Sequence, residues 1–325
     1  MATITLREAI CRALDEEMAR DENVIFFGED VAKAGGVFKV TPGLWDKYGH
    51  DRVRDTPISE QAIVGAGVGA AVTGMRPVIE LMFADFAAVT LDQIVNQAAK
   101  LRYMSGGQIK VPLTIRAAQG AGAGFASQHS QCVEYWFMNA PGLKVAVPSN
   151  PADALGLLKS AIRDENPVVF LEHKVQYAEK GEVPDGEHIV PLGVANVIRE
   201  GKDVTIIAVQ RMVGVAMKAA QELEEQGVSC EVIDPRTLVP LDMDTIIASV
   251  KKTGRLVTVE EATHAGGWGA EVATRITDEA IWYLEAPVVR VTMGAAIIPF
   301  SQPLEEYIIP GKDDVIKAVN RVMTP

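Results

Sequence analysis

Leu6, Ile10, Ala13, Leu14 and Met18 recur at helical spacing, and Thr5-Leu6-Arg7-Glu8 ahead of them has the order of a capping box. An amphipathic helix is therefore predicted at the start of the chain. The short apolar run 24–27 then reads as a buried strand. After it, apolar runs and helix-period segments alternate. Strands are predicted at 77–83, 111–117, 143–147 and 168–172, and helices at 88–103, 128–138 and 151–163. Such alternation predicts a mostly parallel sheet with helices on both faces. The rhythm breaks over 175–192, where the polar stretch 179–187 carries glycine and proline and reads as a linker. A second alternating series follows, with strands at 204–209, 230–233, 256–259 and 288–291 and helices at 213–225 and 242–252. The last helix has Asp242 at its start and Gly254 just past its end. The reading is two α/β domains, 1–190 and 191–325, which the length of 325 residues supports.

Charge narrows the possible partners. A formal net charge of −12 with no basic cluster disfavours nucleic acid and anionic membrane surfaces. Cys11, Cys132 and Cys230 are too far apart for a CxxC pair or metal-ligand spacing, so no zinc or iron–sulfur motif is visible and a reducing, cytoplasmic setting fits. The first residues lack the apolar core of a signal peptide. The longest weakly polar run, 62–75, is Gly/Ala-rich and too short to span a bilayer, so a soluble protein is expected.

Two glycine clusters invite phosphate-binding readings. Gly65-Ala66-Gly67-Val68-Gly69 has the wrong spacing for a dinucleotide fingerprint and lies inside a helix-length stretch, so a small-residue face allowing close backbone approach is the better reading. Gly120-Ala121-Gly122-Ala123-Gly124 follows a predicted strand but lacks the Gly-Lys-Ser/Thr of a P-loop. It is either a loop near a site or a plain connection. Glu60 falls where a helix begins. Taken alone, it complements the helix N-terminus for ~0.3–1 kcal/mol.

The run Asp55-Thr56-Pro57-Ile58-Ser59-Glu60, with Gly74-Met75-Arg76-Pro77, Glu80-Leu81-Met82-Phe83 and Asp92-Gln93-Ile94, resembles the E1 component β subunits of the pyruvate, branched-chain and acetoin dehydrogenases. So do Arg102-Tyr103-Met104-Ser105-Gly106-Gly107, Gln128-His129-Ser130-Gln131, Pro141-Gly142-Leu143-Lys144 and Ile162-Arg163-Asp164-Glu165-Asn166-Pro167. The similarity runs from about residue 4 to about residue 320.

This resemblance implies a thiamine-diphosphate-binding fold: a pyrimidine-binding domain with a parallel sheet flanked by helices, then a smaller transketolase C-terminal-like α/β domain. It also implies site residues. The Glu matching Glu60 hydrogen-bonds N1′ of the thiamine aminopyrimidine and favours the tautomer that can take the proton from thiazolium C2. Residues matching Phe86 and Met82 wall that ring. The His matching His129 faces the active-site channel and serves transfer to a lipoyl group, a task suited to an imidazole near neutral pH. His50, His173, His188 and His264 read as structural or surface residues. Leu113, Ala161, Ile162, Asp164 and Asn166 match a potassium-binding loop, although a helix end closed by Asn166-Pro167 explains the same residues.

The chain has no Gly-Asp-Gly, the usual start of the motif that holds the diphosphate through Mg²⁺. In the resembling family that motif belongs to the α subunit. The implied partners are an E1 α subunit, in a heterotetramer of two α and two β chains, and the lipoyl acyltransferase core E2. The C-terminal domain would help form the contact between β chains and dock on that core. Substrate motifs divide between the pyruvate type (102–107) and the acetoin type (80–86 and 172–174), with the branched-chain type third. Half of a split transketolase-like enzyme is the alternative from another class. A ferredoxin-linked 2-oxo acid oxidoreductase, a nicotinamide-binding protein and a non-catalytic scaffold rank lower.

Overall fold

The computed structural model describes residues 1–324. The chain forms two compact units: Met1–Gln119 with Trp136–Leu192, and Gly120–Tyr135 with the chain from Gly193 onward.

In the first unit, helix Leu6–Arg20 is capped as its sequence requires. The Thr5 hydroxyl accepts from Glu8 N at 3.3 Å, and Thr5 N donates to Glu8 Oε2 at 2.7 Å. Its buried face carries Leu6, Ile10, Ala13, Leu14 and Met18 and packs on helix Pro151–Arg163. Between the two helices the buried Glu17 carboxylate accepts from Arg163 at 2.5 Å and from Arg20 at 2.8 Å. Within this unit the sheet strands run in the order Lys144–Ala146, Val168–His173, Thr114–Gln119, Arg76–Leu81, Val24–Gly28, Val53–Asp55, and the five pairings among them are parallel. Its central strands are buried on both faces, which is why they read as continuous apolar runs.

Four readings need correction. Residues 175–192 are not a plain linker: Lys180–Val183 is a strand paired antiparallel with Ala2–Thr5. Its alternation is too short to detect against the surrounding charges. The helix expected over 88–103 is built of three pieces, a 3-10 turn Ala84–Thr90, a π segment Asp92–Ala98 and an α-helical end Ala99–Met104. The Thr90 hydroxyl bonds back to Ala87 O at 3.0 Å and tightens the first piece. The helix expected over 128–138 is only Glu134–Met138. Polar Ser127 to Ser130 and the positive φ of Ala126 (61°) keep the preceding residues in a loop. Within helix Glu60–Val72, the small residues admit side chains rather than a backbone: a Cβ on Gly67 would lie 3.0 Å from Leu113 Cδ1 and 3.1 Å from Ile79 Cγ2.

The second unit has its own sheet, ordered Val289–Met293, Leu256–Thr263, Val204–Ala208, Cys230–Asp234, Asn196–Arg199. The first four strands are parallel, and the last joins antiparallel. Helix Met243–Thr253 is capped by Asp242, which accepts from Thr245 N at 3.1 Å, and closes on Gly254 at φ 69°. The three cysteines are free thiols. Among the described residues, no helix is long and apolar enough to cross a membrane.

Candidate active site

Parallel register brings distant segments to one edge of the first sheet. Gly28 pairs with Asp55 on one side and with Glu80 on the other. The residues that follow these strands, Glu29, Thr56–Glu60 and Met82–Phe86, therefore leave the sheet together at its carboxyl edge. The chain passes from Val24–Gly28 out to the edge strand Val53–Asp55 and back across to Arg76–Leu81, so the strand order reverses here. Open α/β sheets bind ligands at such a point. Glu60 opens helix Glu60–Val72 and is half-buried. Phe86 is also half-buried, with its ring edge-to-face on Phe83 at 5.5 Å. Phe83 meets Phe38 in the same geometry, again at 5.5 Å. Met82 lies half-buried between strand and aromatic cluster in sequence. Glu60, Met82 and Phe86 thus all follow strands that end at one edge of the sheet. Alongside, Phe27, Thr56, Pro57, Ser59, Ala62 and Ala66 help line a largely apolar groove of about 650 Å³.

Charge at this edge is concentrated and buried. Burial raises the Glu29 carboxyl above its ordinary value, and the neighbouring charges of Glu60, Asp30 and Glu80 add to the rise. Its Oε1 is buried without a hydrogen-bond partner. An acid of this kind beside Glu60 is suited to holding a proton. Beneath it, Arg116 is 1% exposed and grips Glu172 with both ends, Nε to Oε1 at 2.7 Å and Nη2 to Oε2 at 2.8 Å. Its Nη1 donates to Glu80 Oε2 at 2.7 Å, and the Tyr177 hydroxyl donates to Glu172 Oε2 at 2.7 Å. Burial raises the Glu80 carboxyl, Arg116 opposes that rise, and the Glu172 charge adds to it. Burial works against the Arg116 charge, but Glu172 and Glu80 more than offset it.

The raised Glu29 acid has a consequence for stability. A carboxyl whose folded pKa lies above its unfolded value contributes fully below the unfolded pKa, and that contribution is lost as pH rises through the folded value. Glu29→Gln should therefore raise the denaturation midpoint at pH 7, by about 0.5–2 kcal/mol, with the gain shrinking toward pH 4. Urea titrations at the two pH values check this; a gain that persisted at pH 4 would point to packing instead.

His129 belongs to the second unit, in a loop closed by Gly120 N to Gln131 O at 3.4 Å, and is half-buried. The glycines ahead of it do not form an open phosphate cradle. Their amides bind carboxylates of this chain, Ala121 N to Glu261 Oε1 at 2.6 Å and Gly122 N to Glu305 Oε1 at 2.7 Å.

Comparison with known proteins also finds two domains. Residues 2–180 match the model of the transketolase pyrimidine binding domain, and residues 193–315 match that of the transketolase C-terminal domain. A rice (Oryza sativa subsp. japonica) mitochondrial pyruvate dehydrogenase E1 component subunit beta-2 is 48% identical over 98% of this chain and 86% of its own. The pyruvate dehydrogenase E1 component subunit beta of Rhizobium meliloti is 48% identical, covering 99% and 70%. The human mitochondrial subunit is 46% identical, covering 98% and 90%. The chain belongs to the E1 component β-subunit family. A solved structure described as a split gene transketolase, inactive beta4 tetramer, superposes with a TM-score of 0.82 at 28% identity, covering 99% of both chains. The transketolase-like α/β fold expected of an E1 β subunit is the fold observed.

The loop matched to potassium binding lies at the opposite, amino edge of this E1 β sheet. Leu113 precedes Thr114–Gln119, while Asp164 and Asn166 precede Val168–His173. A six-residue strand separates the two edges, roughly 20 Å at about 3.3 Å per residue. Protein cations already serve much of the loop. Lys144 pairs with Asp164, Arg102 donates to Asn166 Oδ1 at 2.7 Å, and Arg76 donates to Ile162 O at 3.1 Å. Leu113 O accepts from Val168 N at 2.9 Å and Ala161 O from Asp164 N at 3.2 Å. Burial would raise the Asp164 carboxyl, but Lys144 and Asn166 outweigh it and hold it below its ordinary value.

Sequence reasoning missed Glu29, Arg116 and the pair Gln119–His173, which ends two neighbouring strands at the carboxyl edge. His173 is buried there. A polar residue at or just past the end of an apolar strand was the available signal for Glu29, Gln119 and His173, whereas Arg116 is a lone charge inside such a strand.

Proposed function

We propose that this chain is the β half of a thiamine-diphosphate-dependent 2-oxo acid dehydrogenase, with pyruvate as first-choice substrate and acetoin as second. The observation that carries the reading is the convergence of Glu60, Met82 and Phe86 on the carboxyl edge of a sheet in an E1 β-family chain. Bound thiamine diphosphate would supply a carbon nucleophile and an electron sink for loss of carbon dioxide. Glu60 would hold the pyrimidine N1′ through a hydrogen bond and exchange a proton with it, with the buried Glu29 acid beside it. Phe86 and Met82 orient the ring, and their apolar surface strengthens the Glu60 hydrogen bond by excluding water. His129 serves the later transfer to a lipoyl arm. When the S–S bond of that arm breaks, the imidazole would give a proton to the sulfur that keeps the electron pair.

An E1 α subunit completes the site, because this chain has no Gly-Asp-Gly to hold Mg²⁺ and diphosphate. Ile58, 82% exposed two residues from Glu60, and the adjacent apolar groove offer that partner a surface. The implied assembly is a heterotetramer that delivers its product to E2, and free thiols suit a cytoplasmic setting. Thiamine diphosphate with Mg²⁺ should bind the purified α–β complex in calorimetry and give no heat with this chain alone. Tight binding to this chain alone would contradict the shared site.

Potassium would take the place of the Lys144 ammonium on Asp164, using second lone pairs of Leu113 O and Ala161 O. Its effect would be on stability, given the distance to the carboxyl edge. Exchanging sodium for potassium should raise the midpoint by about 1 kcal/mol, while turnover at saturating substrate holds. Equal midpoints in the two salts would remove potassium from the account.

The split-transketolase reading rests on the 28% identical structure, whereas the E1 β relatives stand at 46–48%. Two-carbon transfer between sugar phosphates, with no lipoamide reduction, would favour it.

A further inference from the structure

Loop 120–131 is held by one feature the proposed chemistry does not use. Gly122, Gly124 and Ala126 all have positive φ, 95°, 71° and 61°. The backbone amides of 121, 122 and 124 find acceptors in two buried carboxylates. Ala121 N donates to Glu261 Oε1 at 2.6 Å, Gly122 N to Glu305 Oε1 at 2.7 Å and Gly124 N to Glu305 Oε2 at 3.1 Å. Glu305 is 1% exposed, so its charge is satisfied by this loop rather than by water. Arg211 completes the clasp: its Nη1 donates to Ala121 O at 3.3 Å and lies 3.8 Å from Glu261 Oε2. A glycine-rich turn of this form is suited to an anion, and here the anions are side chains of the same unit. Glu261 comes from strand Leu256–Thr263 and Glu305 from helix Gln302–Ile308, so two separate elements fix one loop. A loop with several left-handed residues and little apolar burial would otherwise sample many conformations. His129 is part of that loop.

We propose that Glu261 and Glu305 are positioning residues that clasp the glycine loop in the conformation presenting His129 for acyl transfer. This rests on the reading of His129 given above. The clasp acts on the second half of the reaction only. Glu60, Met82 and Phe86 belong to the other unit, and the bonds of the clasp all run within the second unit. Reductive acylation of a lipoyl domain and decarboxylation coupled to an artificial electron acceptor should therefore separate.

The test uses the reconstituted α–β holoenzyme carrying Glu305→Ala, Glu305→Gln or His129→Ala. Each is assayed in both half-reactions, with amide hydrogen exchange over 120–131. In Glu305→Ala, exchange at 121–124 should accelerate and lipoyl acylation should fall roughly tenfold to a hundredfold, as misplacement of a reacting group does. Acceptor-coupled decarboxylation should stay within about twofold, a loss small beside that from misplacing a reacting group. Glu305→Gln, which keeps one acceptor and folds more readily, should fall between. Unchanged exchange in both Glu305 variants overturns the clasp. An equal loss of both half-reactions also overturns it, since that is the mark of general damage. If His129→Ala acylates lipoyl domains at the normal rate, the reading of His129 fails and the link to transfer fails with it, while accelerated exchange would still show the clasp.

Discussion

Glu60→Gln in the α–β complex should lower thiamine-dependent turnover by roughly 10²–10⁴-fold, the usual worth of a positioned general acid–base group. The substitution preserves volume and leaves an amide oxygen to accept a hydrogen bond, but an amide cannot relay a proton. Fold damage is not expected. Glu60 sits at the first position of its helix, half-buried, without a side-chain cap bond at Ser59 to disturb. The lost helix-terminus charge is worth only ~0.3–1 kcal/mol. The loss should fall on kcat, with the denaturation midpoint nearly unchanged. A variant with full kcat would remove Glu60 from the chemistry.

Arg116→Met should be the most destabilising single change, by about 3–5 kcal/mol, because it strands buried carboxylates without their cation. Glu172 is 1% exposed and loses both of its guanidinium bonds, keeping only the Tyr177 hydroxyl. Glu80 loses its ion pair with Arg116. The damage should also reach the site edge, since Glu80 precedes Leu81-Met82 and Tyr177 packs on Phe38 at 5.5 Å. Adding Glu80→Gln and Glu172→Gln should recover part of the loss, because the buried charges that caused it are gone. Urea midpoints of the single and triple variants measure both effects. A single variant within about 1 kcal/mol of the parent would mean that Glu80 and Glu172 are already neutral in the fold.

The two-domain α/β plan was legible because buried parallel strands are short apolar runs, and helices such as Pro151–Arg163 and Met243–Thr253 announce their ends with Asn150, Asp242 and Gly254. Helix Lys312–Met323 was equally open to reading, since Val315, Ala318, Val319 and Val322 keep helical spacing. Segments defined by non-local contacts stayed hidden. Strand Lys180–Val183 exists because Ala2–Thr5 pairs with it, and loop 120–131 takes its shape from Glu261 and Glu305 far along the chain. The site was legible in part by motif. Glu60 and Phe86 stand in recognisable runs, whereas Glu29 and Arg116 acquire meaning only when the register places Gly28, Glu80 and Arg116 side by side. Periodicity carries no information on that pairing.

The most direct measurement is lipoamide reduction by this chain purified with its native α partner, with pyruvate, acetoin or sugar phosphates as substrate. Thiamine-dependent reduction with pyruvate, requiring both chains and lost in Glu60→Gln, is the predicted result. Sugar-phosphate turnover without lipoamide reduction, or activity indifferent to thiamine, would contradict the account.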